Sequence, residues 1–279
     1  MKGGERILKV KNIDNYSVYG GSLVKYTRMG NITQILSLSH KNTSCPIKKL
    51  NKYEYMYLDT GEVLQCNHID NRGQNINTIR YSISNLRNLI NNNFIGGQNE
   101  LWITLTFGKN KIYNPNDLCP VFEKFIKRLR YNYKDLKLDY IYVPEPHEKG
   151  DWHIHLLLKA DKPIYIENSK LNKIWSHGFV KVNRLKDIDN IGAYVSAYLI
   201  NIKDGEKTKK GARLFLYPSG HQLYRFSKGI QKPKSEYITY NEAKEKISSD
   251  KLTFSNTLQI VTDNDFKNTI HYEYYNSKR

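Results

Sequence analysis

The sequence predicts an α+β fold: a central antiparallel sheet of about five strands flanked by helices, with an accessory segment ahead of it. Three observations carry this expectation. "ELWITLTF" at 100–107, "LDYIYVPE" at 138–145 and "WHIHLLLK" at 152–159 alternate β-branched, aromatic and polar residues with the two-residue period of a strand that has two different faces. Between and after these runs, apolar residues recur every three or four positions, as on helices with one buried side. The resulting order is strand, helix, strand, strand, helix, strand, helix, and the short link between the two adjacent strands favours a hairpin with helices packed on the sheet.

Taken along the chain, "NITQILSLS" and "YEYMYLDTGEVLQC" read as small strands separated by polar turns. "NINTIRYSISNLRNLINNNF" spaces Ile79, Ile83, Leu86, Leu89 and Ile90 as one helix face, and "IGGQ" stops it. After the strand at 100–107, Leu118, Phe122, Phe125 and Leu129 line one side of a second helix, leaving Lys124, Lys127 and Arg128 for solvent. "PHEKGD" at 146–151 serves as the hairpin loop. "NSKLNKIW" is a short helix, "HGFVKVNRL" a strand and "DIDNIGAYVSAYLIN" a last helix. The expected division is an accessory segment of small strands and one helix at 1–95, a main domain at 96–235 and a C-terminal extension at 236–279.

Composition restricts the function. Lys and Arg number 44 against 27 Asp and Glu, a formal charge of +17 on 279 residues, which suits a polyanionic partner. No stretch approaches the roughly 18 apolar residues of a membrane span, the start of the chain lacks the apolar core of a signal peptide, and three cysteines without C-x-x-C spacing do not make a disulfide framework. A cytoplasmic protein acting on nucleic acid, with no membrane and no small-molecule substrate, is therefore expected. His40, Cys45, Cys66 and His68 lack the close spacing of a structural zinc knuckle.

The chemistry concentrates in two places. His153 and His155, two apart in a strand, point to one face, and a hairpin centred on Lys149 pairs position 145 with 153, setting Glu145 beside them. Two imidazoles and a carboxylate form a facial set that leaves positions open on a divalent ion, although half-buried strand histidines satisfied by hydrogen bonds give the same spacing. His147 and Glu148 lie in the loop. Tyr194 and Tyr198, four apart in "AYVSAYLIN", share a helix face, as core tyrosines do and as a pair of nucleophiles would. Downstream, residues 203–234 hold nine Lys and Arg against Asp204 and Glu206, interleaved with Phe215, Tyr217, Tyr224 and Phe226. Basic residues beside aromatic ones suit single strands held by stacking, and also a basic loop whose aromatics turn inward.

"LWITLTF", "EPHEKGDWHIHLLL" and "YVSAY" together resemble the three ordered motifs of the HUH endonucleases, specifically rolling-circle replication initiator (Rep) proteins of Gram-positive plasmids and phages. The segment follows the family's E-x-H-x-x-G-x-x-H-x-H pattern, and the resemblance covers about residues 98–235. It implies that Glu145, His153 and His155 hold Mg2+ or Mn2+. It further implies that Tyr194 attacks a phosphate of single-stranded or hairpin origin DNA to leave a 5′-phosphotyrosine, with Tyr198 as a second acceptor. Lys203, Lys207, Lys209, Lys210, Arg213, Arg225 and Lys228 are the expected DNA contacts, and a host helicase the expected partner. Many relatives carry Lys before the second tyrosine where this chain has Ala197, a phosphate contact that Lys203 is placed to replace. A relaxase, a single-strand transposase, or a non-catalytic nucleic-acid-binding module are the alternatives.

Overall fold

The computed structural model describes residues 9–41, 46–51, 53–66, 70–185, 190–199, 211–247, 249–261 and 266–279, with side chains at 76, 77, 197–199, 211 and 212 left out. From the N-terminus come β1 (Lys9–Asn12), β2 (Leu23–Met29), β3 (Ile32–Leu38), β4 (Ile47–Lys49), β5 (Glu54–Tyr57) and β6 (Val63–Gln65). Next are α1 (Ile76–Asn93), β7 (Glu100–Leu105), α2 (Leu118–Asn132), β8 (Leu138–Pro146) and β9 (Trp152–Ala160). α3 (Asn168–Trp175), β10 (Val180–Arg184), α4 (Ile191–Leu199) and β11 (Arg225–Phe226) follow. The described chain closes with β12 (Ser235–Thr239), α5 (Tyr240–Lys246), β13 (Lys251–Val261) and β14 (Lys267–Asn276). The fold is α+β with antiparallel sheets. Among the described residues no helix is long and apolar enough to cross a membrane.

The chain divides into two units, one of residues 1–68 and 234–279, the other of residues 69–233. The boundary passes through the segment expected at 1–95 and puts α1 in the second unit. In that unit β10-β7-β9-β8-β11 form a five-stranded antiparallel sheet. Four of these strands are the expected ones; β11 arises from the basic stretch around "LYRFSK", where the sequence pattern offers only DNA contacts.

Both faces of this sheet are covered. On one, Phe122 of α2 packs its ring 5.2 Å from Tyr140 and 4.0 Å from Tyr142 of β8, while Phe125 meets Trp175 of α3 at 5.3 Å. On the other, Trp102 of β7 packs edge-on against Tyr194 of α4. The expected helix faces are the buried ones: Ile79, Ile83, Leu86, Leu89 and Ile90 of α1, and Leu118, Phe122, Phe125 and Leu129 of α2. Local signals fix the ends. Asn75 caps α1 by accepting from the Thr78 N–H at 3.0 Å. After the helix the N–H groups of Ile95, Gly96 and Gly97 converge on the fully buried carboxylate of Glu100, at 3.0, 2.8 and 3.3 Å to Oε2. Gly96 holds φ +86°, and a Cβ there would lie 2.6 Å from the Leu185 carbonyl, so glycine is required.

In the other unit β1-β13-β14-β3-β2-β12 make a six-stranded sheet, β4-β5-β6 a small three-stranded one, and α5 packs Ala243 and Ile247 into a core with Val24, Tyr26, Ile35 and Tyr275. α5 opens with a capping box between Thr239 and Glu242. The sheet carries a buried polar network. Glu273 accepts from the hydroxyls of Tyr275 at 2.6 Å and Tyr240 at 2.9 Å and lies 3.2 Å from His271 Nε2. The other nitrogen of His271 meets Thr257 Oγ1 at 2.7 Å.

Burial pushes the Glu273 carboxyl up, but the hydrogen bonds from Tyr275, Tyr240 and His271 and the charge of Lys244 outweigh it and hold it below the usual carboxylate range. A carboxyl depressed on folding stabilises the fold fully above its unfolded value of ~4.3 and loses that stabilisation as pH falls toward the lower folded value. Glu273→Gln should thus lower the melting temperature at pH 7, on the scale of ~1.5–3 kcal/mol for one hydrogen bond to a charged group, and flatten the stability profile below about pH 4.5. Thermal melts across pH check this; parallel wild-type and variant profiles would reject the network's role.

Candidate metal centre

Pairing of β8 with β9 sets Glu145 opposite His153 and Val143 opposite His155, as the hairpin parity requires. Side-chain alternation then puts Glu145, His153 and His155 on one face at the loop end of the hairpin, with exposures of 6%, 6% and 4%. Gly150, at φ +84°, makes the reversal, and the His147 N–H donates to the Asp151 carbonyl at 2.7 Å to close it.

The three donor groups converge. Glu145 Oε2 lies 2.9 Å from His155 Nε2 and 3.4 Å from His153 Nε2, and the two Nε2 atoms are 3.0 Å apart. One atom from each lies within 4.8 Å of the others, so the group fits a metal ion. Ligands at right angles, ~2.1 Å from one ion, would stand ~3 Å apart, close to the separations present here. The electrostatics fit as well. Burial opposes the Glu145 charge, but hydrogen bonds from His153 and His155 overcome it and bring the carboxyl to about 2. Burial also lowers His153, against the pull of Glu145 and with help from the charges of His155 and His147. A carboxylate beside a neutral imidazole is the protonation state that presents lone pairs to a cation.

Surrounding groups hold these ligands in place. Thr104 Oγ1 of β7 sits 3.4 Å from His155 Nδ1, and Trp102 packs its edge on the His155 ring at 6.2 Å. His147 stacks on His153 with centroids 4.2 Å apart and is itself held by Asp151 at 2.9 Å, which Lys111 approaches to 3.4 Å. Arg213 is placed differently from its expected role at the DNA surface. Its Nη1 donates to the Pro146 carbonyl at 3.1 Å and stands 3.5 Å from Glu145 Oε1, while Nη2 lies 3.6 Å from Glu148.

Tyr194 is half exposed and packs at 88° on Trp102, ring centroids 5.5 Å apart, so one indole touches both the helix tyrosine and a histidine of the cluster. The start of α4 is locked to α1. Asn91 accepts from the Gly192 N–H at 2.7 Å and donates to Asn190 at 3.0 Å, and a Cβ on Gly192 would fall 2.3 Å from the Arg87 carbonyl. The side chain of Tyr198, like Lys203, Lys207, Lys209 and Lys210, lies outside the described residues, as do Cys45 and His68.

The remaining expected contacts are on the β11 edge. Arg225 is exposed and donates to Cys119 Sγ at 3.0 Å. Lys228 lines a cavity of about 860 Å3 with Arg130, Lys134, Lys137 and Phe226. Of the four interleaved aromatics, Phe215 and Phe226 are exposed and Tyr224 is half-buried. Tyr217 is a core residue whose hydroxyl donates to the Pro144 carbonyl at 2.9 Å.

A sequence model of the replication-associated protein family, ORF2 type, matches residues 100–203, from β7 through α4 and so across the three ligands and Tyr194. The match supports a replication-associated protein of the rolling-circle Rep type. No curated protein matches the chain. No solved structure matches it either.

Calorimetric titration with Mn2+ should show one site per chain, and Glu145→Ala, His153→Ala and His155→Ala should each weaken it at least tenfold. Retention of wild-type affinity in all three would exclude the cluster as the site.

Proposed function

We propose that this protein is a metal-dependent single-stranded DNA nicking and strand-joining enzyme of the HUH type, which initiates rolling-circle replication through a 5′-phosphotyrosine. The observation that carries the reading is the shared contact of Trp102, which holds the Tyr194 ring on one side and the His155 ring on the other. In this reading the catalytic domain lies within 69–233, and its five-stranded sheet is that of the HUH fold.

Glu145, His153 and His155 would hold Mg2+ or Mn2+, which polarises the scissile phosphate. The phenolic oxygen of Tyr194 attacks phosphorus and loses its proton to solvent. The P–O3′ bond breaks, the departing oxygen takes up a proton as a free 3′-OH, and the 5′-phosphate stays on tyrosine. Attack by a 3′-OH on that phosphotyrosine reverses the step and joins strands, with Tyr198 as the second acceptor. Lys203, Lys207, Lys209, Lys210, Arg225 and Lys228 hold the backbone of single-stranded or hairpin origin DNA, and a host helicase extends the opened strand. Relaxases and single-strand transposases use the same chemistry. A non-catalytic binding module would need neither the ligands nor the tyrosine.

Tyr194→Phe removes the attacking oxygen with little change of shape and should abolish the covalent protein–DNA adduct seen after denaturation, whereas Tyr198→Phe should still form it. The reverse result would exchange the two roles, and an adduct in the double variant would exclude tyrosine catalysis on α4.

A further inference from the structure

A second cavity, of about 460 Å3, opens beside the β11 edge, lined by Arg72, Ser82, His221, Tyr224, Arg225 and Phe226. That volume falls within the roughly 300–1,000 Å3 of small-ligand pockets. Its walls are fixed by pairing between distant segments. The Arg72 N–H donates to the Tyr217 carbonyl at 2.9 Å, the Ser219 N–H to the Asp70 carbonyl at 3.1 Å, and Asn71 bridges to Pro218. Gly220, at φ +77° with open space where a Cβ would stand, turns the chain at its rim.

Two polar atoms in this lining are buried without a hydrogen-bond partner among the described residues: Arg72 Nε and His221 Nε2. A buried N–H left unpaired costs about 1–3 kcal/mol, so such atoms together in one pocket point to a ligand that supplies acceptors. The pocket is cationic at Arg72 and Arg225 and has no acidic residue in its lining. Tyr224 and Phe226 add a flat apolar wall, their rings stacked at 24° with centroids 6.3 Å apart. Anionic and aromatic recognition side by side is the chemistry of a nucleotide.

The pocket also stands in line with the metal cluster. Phe226 pairs with Ile141 of β8, which lies four residues from Glu145 and on the same face, a separation of ~13 Å at ~3.3 Å per residue. That corresponds to about two to four nucleotides of single strand. Beyond Phe226 the neighbouring cavity continues with Lys228, Lys137 and Lys134, which make no ion pair among the described residues. We infer that this pocket seats one nucleotide of the bound strand, its phosphodiester at Arg72, His221 and Arg225 and its base on the Tyr224–Phe226 wall. The inference rests on the reading of the chain as a single-strand DNA enzyme only for the identity of the strand, because the pocket itself needs no metal.

The test is binding of a fluorescent single-stranded oligonucleotide in EDTA, with an abasic site moved along it one position at a time, to wild type and to Tyr224→Leu, Phe226→Leu and Arg72→Ala. Wild type should lose about tenfold in affinity when the abasic site reaches one particular position. Tyr224→Leu and Phe226→Leu should bind the intact strand about tenfold more weakly and be insensitive to that position, a coupling that a general folding defect does not produce. Arg72→Ala should weaken all strands but keep the positional effect. Equal sensitivity at every position in wild type, an unchanged positional effect in Tyr224→Leu and Phe226→Leu, or no binding of single strands would overturn the pocket. Adduct formation in Mn2+ is read separately. Cleavage with no positional effect leaves the nicking reading intact and removes the pocket, while the positional effect without any adduct keeps the pocket and removes the nicking.

Discussion

The register of one hairpin decides whether this protein has a site at all. Glu145 meets His153 because their separation is even and the reversal at Gly150 is tight; a slip of one residue would turn the carboxylate to the face where α2 packs. A bare carboxylate at that depth would cost several kcal/mol, and the pairing of β9 with β7 on its other side keeps the register from drifting. The same pairing brings Thr104 opposite His155 and carries Trp102 along the same face, so the support of the ligands and the seat of Tyr194 follow from one set of backbone hydrogen bonds.

This explains what is legible in the sequence. Parity along a strand and three-to-four spacing along a helix are local, and both hold: the ligand set, the buried faces of α1 and α2 and the exposed Lys124, Lys127 and Arg128 stand where the pattern puts them. What depends on long separations leaves no such mark. The six-stranded sheet joins β3 to β14 and β1 to β13 across more than 200 residues, and β13 and β14 mix Ser, Thr, Asn and Gln into their alternation, so neither reads as a partner for the other end of the chain. Arg213 and Tyr217 belong to the same class. In a basic, aromatic stretch both read as surface groups for DNA, yet one meets Glu145 and the other reaches the Pro144 carbonyl, contacts set by a chain segment some 70 residues away.

Arg213 changes the electrostatic argument about the site. Its guanidinium near Oε1 of Glu145 offsets the carboxylate charge while leaving Oε2 turned to the imidazoles. The cluster is then close to neutral, as His153 is held in its uncharged form. A divalent ion bound by such a neutral set keeps most of its charge for whatever approaches the open side. In the proposed reaction that visitor is a phosphodiester whose negative charge grows as the phenol attacks, and fixed positive charge aimed at developing negative charge lowers the barrier more than it stabilises the resting strand. Two carboxylates at the ion would instead have spent its charge on the protein. The single carboxylate, two imidazoles and buried guanidinium thus suit chemistry on an anion better than storage of a metal for structure.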